Sequence, residues 1–424
     1  MIPSASLLGA RRFLPLFVTQ FLGAFNDNLF KNALVFFVTY QILNSAEAET
    51  SFSALATGIF ILPFFLFSAI AGELADSRDK AAIMRLIKWA EIGIMIVGAI
   101  GIFVASTWIM LLALFAMGVH STFFGPIKYA VLPQHLAPEE VLGGTGLVEA
   151  GTYVAILAGT IVAGVISAQA AAFAVVGFAV LGMLSARAIP PAPPLVDIKL
   201  DWNVLRSSIR LVRATMHIRR LFLAIIAISV FWSIAAMLAV LFPPLVKNVF
   251  MAEPGVASVF LGIFSIGIAI GSVIINRLLK GEVSARFAMA SVLAMTVFLA
   301  DFWFTATTWS PIVPGLADIP TFLRDPGAIR VFIDLAGISI TGGMFVVPLY
   351  AFLTTTVDKS ETARTVAANN IVNSGFMVFA SIGILGVTSL GISVVNAIWV
   401  VVATALVSAY CAWRLDKACV TGGC

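Results

Sequence analysis

His120-Ser121-Thr122-Phe123-Phe124-Gly125-Pro126-Ile127-Lys128-Tyr129 runs on to Gly146-Leu147-Val148-Glu149-Ala150-Gly151, and the pair returns in altered form half a chain later. The second copy reads Gly343-Met344-Phe345-Val346-Val347-Pro348-Leu349-Tyr350, then Asn370-Ile371-Val372-Asn373-Ser374-Gly375. Pro126 matches Pro348, Glu149 matches Asn373 and Gly151 matches Gly375. Both copies lie in long apolar segments, so the chain reads as a duplication. Matched positions differ in charge, so the halves share a frame and not a task. Many secondary transporters are built from such repeats.

Working outward, composition fixes the solvent. Of 424 residues, 61% are hydrophobic and 11% charged, with a mean hydropathy of +1.06. A water-soluble chain carries about a quarter charged residues, so this apolar surface belongs in lipid. The net charge of +4 reflects basic loops rather than a nucleic-acid partner. Cys411, Cys419 and Cys424 form neither a metal spacing nor a disulfide framework. The first apolar segment is too long for a signal peptide and has no small-residue cleavage site, so a retained helix is expected.

A spanning helix needs about 20 apolar residues. Segments at roughly 13–43, 52–75, 82–105, 108–130, 143–166, 168–188, 219–247, 256–278, 284–307, 329–356, 366–388 and 391–413 meet that requirement. The expected fold class is an all-α membrane protein with twelve transmembrane helices in two six-helix halves. Residues 1–188 form the first bundle, 189–218 a cytoplasmic linker and 219–424 the second bundle. Pro190, Pro191, Pro193 and Pro194 break the sixth helix. Beyond them, Trp202, Leu205, Ile209 and Val212 interleave with Arg206, Arg210 and Arg213. This is either a basic amphipathic helix on the inner membrane surface or a plain solvated linker. Arg11, Arg12, Arg78, Lys80, Arg85, Lys88, Lys199, Lys359 and Arg364 fall on one side with most other basic residues. Both termini are therefore expected in the cytoplasm of a bacterial cell, with the chain multi-pass in its inner membrane.

Gly72-Glu73-Leu74-Ala75-Asp76-Ser77-Arg78-Asp79-Lys80 resembles the G-x-x-x-D-x-x-x-[R/K] loop of the major facilitator superfamily, which implies the major facilitator fold. Gly72 is expected to let the second helix approach a neighbour. Asp76 is expected to cap a following helical turn or pair with arginine, making Gly72, Asp76, Arg78 and Lys80 a conformational latch. An ordinary basic loop is the alternative. A degraded copy runs from Gly271 through Asn276 and Arg277 to Lys280 and Gly281.

Gln20-Phe21-Leu22-Gly23-Ala24-Phe25-Asn26-Asp27-Asn28-Leu29-Phe30-Lys31-Asn32, with the Pro126-to-Tyr129 and Gly146-to-Ala150 stretches, resembles the bacterial lysophospholipid transporter family over most of the chain. Here Gly125 precedes the proline, and Gly146 follows threonine where the family has asparagine. The resemblance implies flipping of lipids such as lysophosphatidylethanolamine toward the cytoplasmic leaflet by alternating access, for later reacylation. It also implies a possible cytoplasmic acyltransferase partner, separate or fused, so the chain is expected to be a stand-alone form or the transporter portion of a fused one. The family's basic residue on helix seven is missing from Phe231 to Ala239. A monomer is expected.

Ionisable groups within the bilayer cost at least about 2.5–3.5 kcal/mol each, so they need a partner or a task. The candidate substrate-binding set is Asp27, Asn28, Lys31, Lys128, Tyr129, Glu149, Asn370 and Asn373. Asp27 and Lys31 share a helix face, as a cavity strip or as a self-contained ion pair. Lys128 either attracts a phosphate or snorkels to the interface. A Lys128–Glu149 pair that exchanges for a phosphate contact is geometrically open. The asparagines of helix eleven either bind head-group atoms or hold helices together. Helices three and nine usually sit at the periphery of this fold, so Glu91 and Asp301 are expected to hydrogen-bond locally or lie at an interface; Asp334 is expected within reach of water, and His120 is either titrating or simply hydrogen-bonded. Phenylalanines on helices two and eleven either line a lateral opening for an acyl chain or face ordinary lipid.

Enzyme chemistry has little support. None of His120, His135 and His217 begins an H-x-x-x-x-D acyltransferase motif, and no G-x-x-x-x-G-K-[ST] loop is present. Neither a cofactor nor a metal is expected. The competing function on the same fold is proton-coupled export of amphipathic drugs.

Overall fold

The computed structural model describes residues 4–194, 203–280, 284–311, 315–355 and 362–422. Lys199, Trp202, Gly281, Lys359 and Cys424 lie outside these residues, as do the side chains of Asp76, Leu205, Arg364 and Cys419. Among the described residues, twelve helices of 20 residues or more follow one another: α1 Leu14–Phe37, α2 Ala46–Ser77, α3 Lys80–Phe103, α4 Thr107–Ala130, α5 Pro138–Val165, α6 Ala168–Arg187, α7 Arg219–Asn248, α8 Pro254–Leu278, α9 Ala288–Thr307, α10 Pro326–Thr355, α11 Thr362–Ser389 and α12 Val394–Gly422. Each falls on an expected apolar segment. Of these, eleven are long and apolar enough to cross a membrane; α1 has the length but not the apolarity. Its deficit comes from Gln20, Asn26, Asp27, Asn28, Lys31 and Asn32, so this helix must hide its polar groups within protein.

The described chain divides into two compact units, residues 1–37 with 66–207, and residues 38–65 with 208–424. In the first, α1 packs on α5 and α6, and α3 on α4 and α6. In the second, α7 packs on α11 and α12, and α9 on α10 and α12. The same pairings recur six helices apart, so the duplication read in the sequence is also a duplication of packing. The second unit adds a tight α8–α10 crossing. A Cβ on Gly271 would lie 2.0 Å from the Ile340 carbonyl oxygen, so only glycine permits that approach. At Gly72 a Cβ would meet nothing within 4 Å. The close approach expected there is therefore absent, and its counterpart in the degraded copy makes it instead.

Helix ends follow local chemistry. α6 stops at Arg187, just before the proline run. A 13-residue amphipathic helix, Val204–Met216, follows, begun by Asn203 Oδ1 accepting the Arg206 N–H at 2.9 Å. Ser207 on that helix donates to Glu73 at 2.7 Å.

In the second unit, Glu49 is fully buried. It accepts from Lys247 Nζ at 2.5 Å and from Asn248 Nδ2. Lys247 also donates to the carbonyls of Thr39 at 2.5 Å and Leu43 at 3.1 Å, so one ammonium serves both the chain after α1 and a carboxylate on α2. Breaking a buried ion pair by removing one partner leaves the other uncompensated. Glu49→Gln is therefore expected to cost about 3 kcal/mol, read as a lowered unfolding midpoint of the purified protein. An unchanged midpoint would show that the pair contributes nothing net.

Candidate functional site

The latch region is the first place where the sequence and the structure differ. Asp76 lies in the last turns of α2, while Asp79 caps α3, its Oδ1 accepting from Ala82 N at 2.8 Å. Its Oδ2 accepts from Ala192 N at 3.1 Å. The capping role expected of Asp76 thus falls to Asp79, because α2 continues through Ser77 and places the aspartate of the motif inside a helix. Arg78 is exposed and Lys80 is buried.

The first unit holds a buried charge cluster at the meeting of α1, α3 and α4. Lys88 Nζ donates to Glu91 Oε2 at 2.6 Å, with both side chains almost wholly inaccessible. Asn26 Nδ2 donates to Glu91 Oε1 at 2.9 Å, and His120 Nε2 lies 3.3 Å from Oε2. Lys88 sits 4.9 Å above the Phe124 ring. A Cβ on Gly23 would come within 2.6 Å of its ammonium, so this glycine makes room for the charge. Ser121, next to His120, donates to Asp27 Oδ2.

Lys88 lies two turns inside α3, within the third expected apolar segment. Glu91 bonds within its own helix and also meets α1 and α4, because α3 turns that face toward them. The three-residue spacing of Lys88 and Glu91 within an apolar segment was the sequence signal for this pair.

A second polar group lies between α1, α4 and α5. Tyr129 donates its hydroxyl proton to Glu149. Lys128 donates to Thr152 Oγ1 at 3.2 Å, and Thr152 donates to Gln20 Oε1 at 2.8 Å. Lys128 and Glu149 are thus neighbours with separate neutral partners. Among the described residues, no direct ion pair joins them. Oδ1 of Asp27 is buried without a hydrogen bond. Lys31 follows Asp27 by one turn and is half-buried. Asn28 bonds back to the Ala24 carbonyl at 2.9 Å, and Asn32 reaches Thr160 of α5 at 3.0 Å.

In the second unit the corresponding polar network is built, among the described residues, from neutral groups. The Tyr350 hydroxyl receives Trp232 Nε1 at 3.0 Å, Asn373 Nδ2 at 3.1 Å and Asn369 Nδ2 at 3.4 Å. Ser229 donates to Asn373 Oδ1 at 2.6 Å. Asn373 therefore joins a network, with Asn369 beside it. Asn370 is exposed, one position round the helix. Trp232 and Tyr350 were not in the expected set; Tyr350 occupies the place that Lys128 holds in the first copy. Asp334 is 1% exposed and accepts from Thr305 at 3.3 Å, so water does not reach it as expected. Asp301 forms a two-point pair with the exposed Arg330. On α2 and α11, a Cβ on Gly375 would stand 3.1 Å from the Phe65 ring and one on Gly58 3.7 Å from Ser381, so the two helices touch at these points.

The sequence profile of the Major Facilitator Superfamily matches residues 16–381. The chain belongs to that superfamily. Its fold is similar to that of the POT family transporter PepTSo, with a TM-score of 0.72 and 11% identity over 97% of this chain and 99% of the other. It is similar to a mutant of the nucleoside transporter NupG with a TM-score of 0.69 and 13% identity, over 95% and 99%. Among curated proteins it is 25% identical to the lysophospholipid transporter LplT of Escherichia coli (strain SE11), over 89% of this chain and 88% of that protein. As a superfamily member it is a multi-pass protein of the membrane.

Proposed function

We propose that this protein is a lysophospholipid transporter that moves lipids of the lysophosphatidylethanolamine kind across the bacterial inner membrane, toward the cytoplasmic leaflet, by alternating access. The observation that carries this reading is the separation of charge in the first unit. Lys128 is bonded to a neutral hydroxyl, Glu149 is held by a tyrosine, and Asp27 keeps one oxygen unbonded. A cation and an anion that do not cancel each other suit a zwitterionic head group, with phosphate at Lys128 and ammonium at Asp27. Lysine meets the phosphate as a point charge. The similarity to a curated lysophospholipid transporter supports the same substrate class.

Labelled lysophosphatidylethanolamine offered to one leaflet of vesicles containing the protein, without ATP, tests this. A hydrogen bond to a charged group contributes about 1.5–3 kcal/mol, so Lys128→Ala and Asp27→Ala are each expected to slow lipid movement roughly 10- to 100-fold. Efflux of an amphipathic cation with no lipid movement would replace this reading with drug export.

A further inference from the structure

The helix Val204–Met216 lies outside the site described above, and its surface is sorted by chemistry. Ser207 and Thr215 are buried, with Val204, Ser208 and Leu211 half-buried on the same side. Arg206, Arg210 and Arg213 are exposed. Spaced by four and three residues, they form one stripe opposite the buried side. An apolar edge runs beside the stripe. Ile209 is 42% exposed, and Val212 and Met216, three and seven residues on, are half-buried. An arginine stripe bordering an exposed apolar edge is the pattern of a helix lying at a lipid–water boundary. A helix surrounded by water would gain nothing from the edge.

Its attachments fix its level. Ser207 donates to Glu73 at 2.7 Å, one turn before α2 ends at Ser77. Beyond Met216, His217 and Ile218 lead straight to Arg219, where α7 begins. Both attachments are at helix ends on the side where the basic residues gather, which makes that side cytoplasmic. The boundary between the two compact units falls within this helix, after Ser207. Its start is bonded to the first unit, and its remainder leads into the second.

The partner follows from charge. Each guanidinium is a planar fork of donors that fits a phosphate. Three on one side of a helix call for several anions at one level, not a single soluble ion. A leaflet containing anionic phospholipid presents such a layer, with hydrocarbon just beneath it. We propose that Val204–Met216 is a docking helix for anionic phospholipid of the inner leaflet: Arg206, Arg210 and Arg213 meet the phosphates, and Ile209 enters the acyl boundary. Docking fastens the connection between the units to the membrane surface. It is independent of which lipid the protein moves.

The test uses the full chain with Cys411→Ser, Cys419→Ser, Cys424→Ser and Ile209→Cys, the new thiol carrying an environment-sensitive dye. The protein is placed in vesicles of phosphatidylcholine alone or of phosphatidylcholine with phosphatidylglycerol. A blue shift of emission is expected only with phosphatidylglycerol, and high salt, which screens the charges, is expected to remove it. Each arginine near an anionic surface strengthens attachment about fivefold, so exchanging all three weakens it about a hundredfold. Arg206→Gln, Arg210→Gln and Arg213→Gln together are therefore expected to abolish the shift. Emission alike in both vesicles overturns the proposal and leaves the arginines to water or to an acidic protein. A shift that survives the triple exchange overturns it too. If the triple variant does not fold, salt decides with the arginines in place: a shift lost in high salt sustains the proposal, and one that persists ends it.

Discussion

Lys88→Met is expected to destabilise the first unit by about 3–5 kcal/mol, because it strips the partner from a buried carboxylate. Glu91 meets Lys88, Asn26 and His120, and Lys88 is the ammonium bonded to it. Water has no access to either side chain, so the loss cannot be made good by solvation. Methionine keeps most of the stem's volume, and the measured loss therefore reports charge more than cavity. Adding Glu91→Met should recover much of the loss, since a buried pair replaced whole by apolar groups is often neutral. Unfolding midpoints of the two single variants and the double variant in one detergent give the cycle. A single variant as stable as wild type would show that Glu91 is not held as an ion in the folded protein.

Gly271→Ala is expected to cost about 1–3 kcal/mol or more, the range for overpacking. The added methyl would stand 2.0 Å from the Ile340 carbonyl oxygen and 3.0 Å from the Met344 nitrogen. Both obstacles are backbone, so no side-chain rotation relieves them and α8 must move away from α10. Gly72→Ala is the control. It introduces the same methyl where nothing lies within 4 Å, and exchanging glycine for alanine in a helix favours the helix by roughly 1 kcal/mol. Equal losses at the two sites would show that helix approach is not what Gly271 provides.

Much of this architecture was legible in the residues. The length of each apolar run, the prolines after Arg187 and the duplicated Pro126 and Pro348 stretches gave the helices, their order and their repeat. The reason is that a bilayer demands helices of a set length with all backbone groups bonded internally. The polar residues of α1 marked it as the helix with groups to hide. Asp27, Lys128, Tyr129, Glu149 and Asn373 stood out in the sequence as polar groups within apolar segments, but their bonding partners did not.

The tertiary structure alone decided which groups meet. Glu149 is held by Tyr129 while its neighbour Lys128 turns to Thr152. Asn369 enters the network around Tyr350, and Asn370 is exposed. Lys88, counted from sequence with the basic residues of one side, is the buried counter-ion of Glu91 in the first unit. Such pairings depend on how each helix is rotated about its axis and where it crosses its neighbours. In a soluble helix an apolar stripe reveals that rotation. In lipid the outward and inward faces are equally apolar, and the sequence pattern that would mark the buried face is erased.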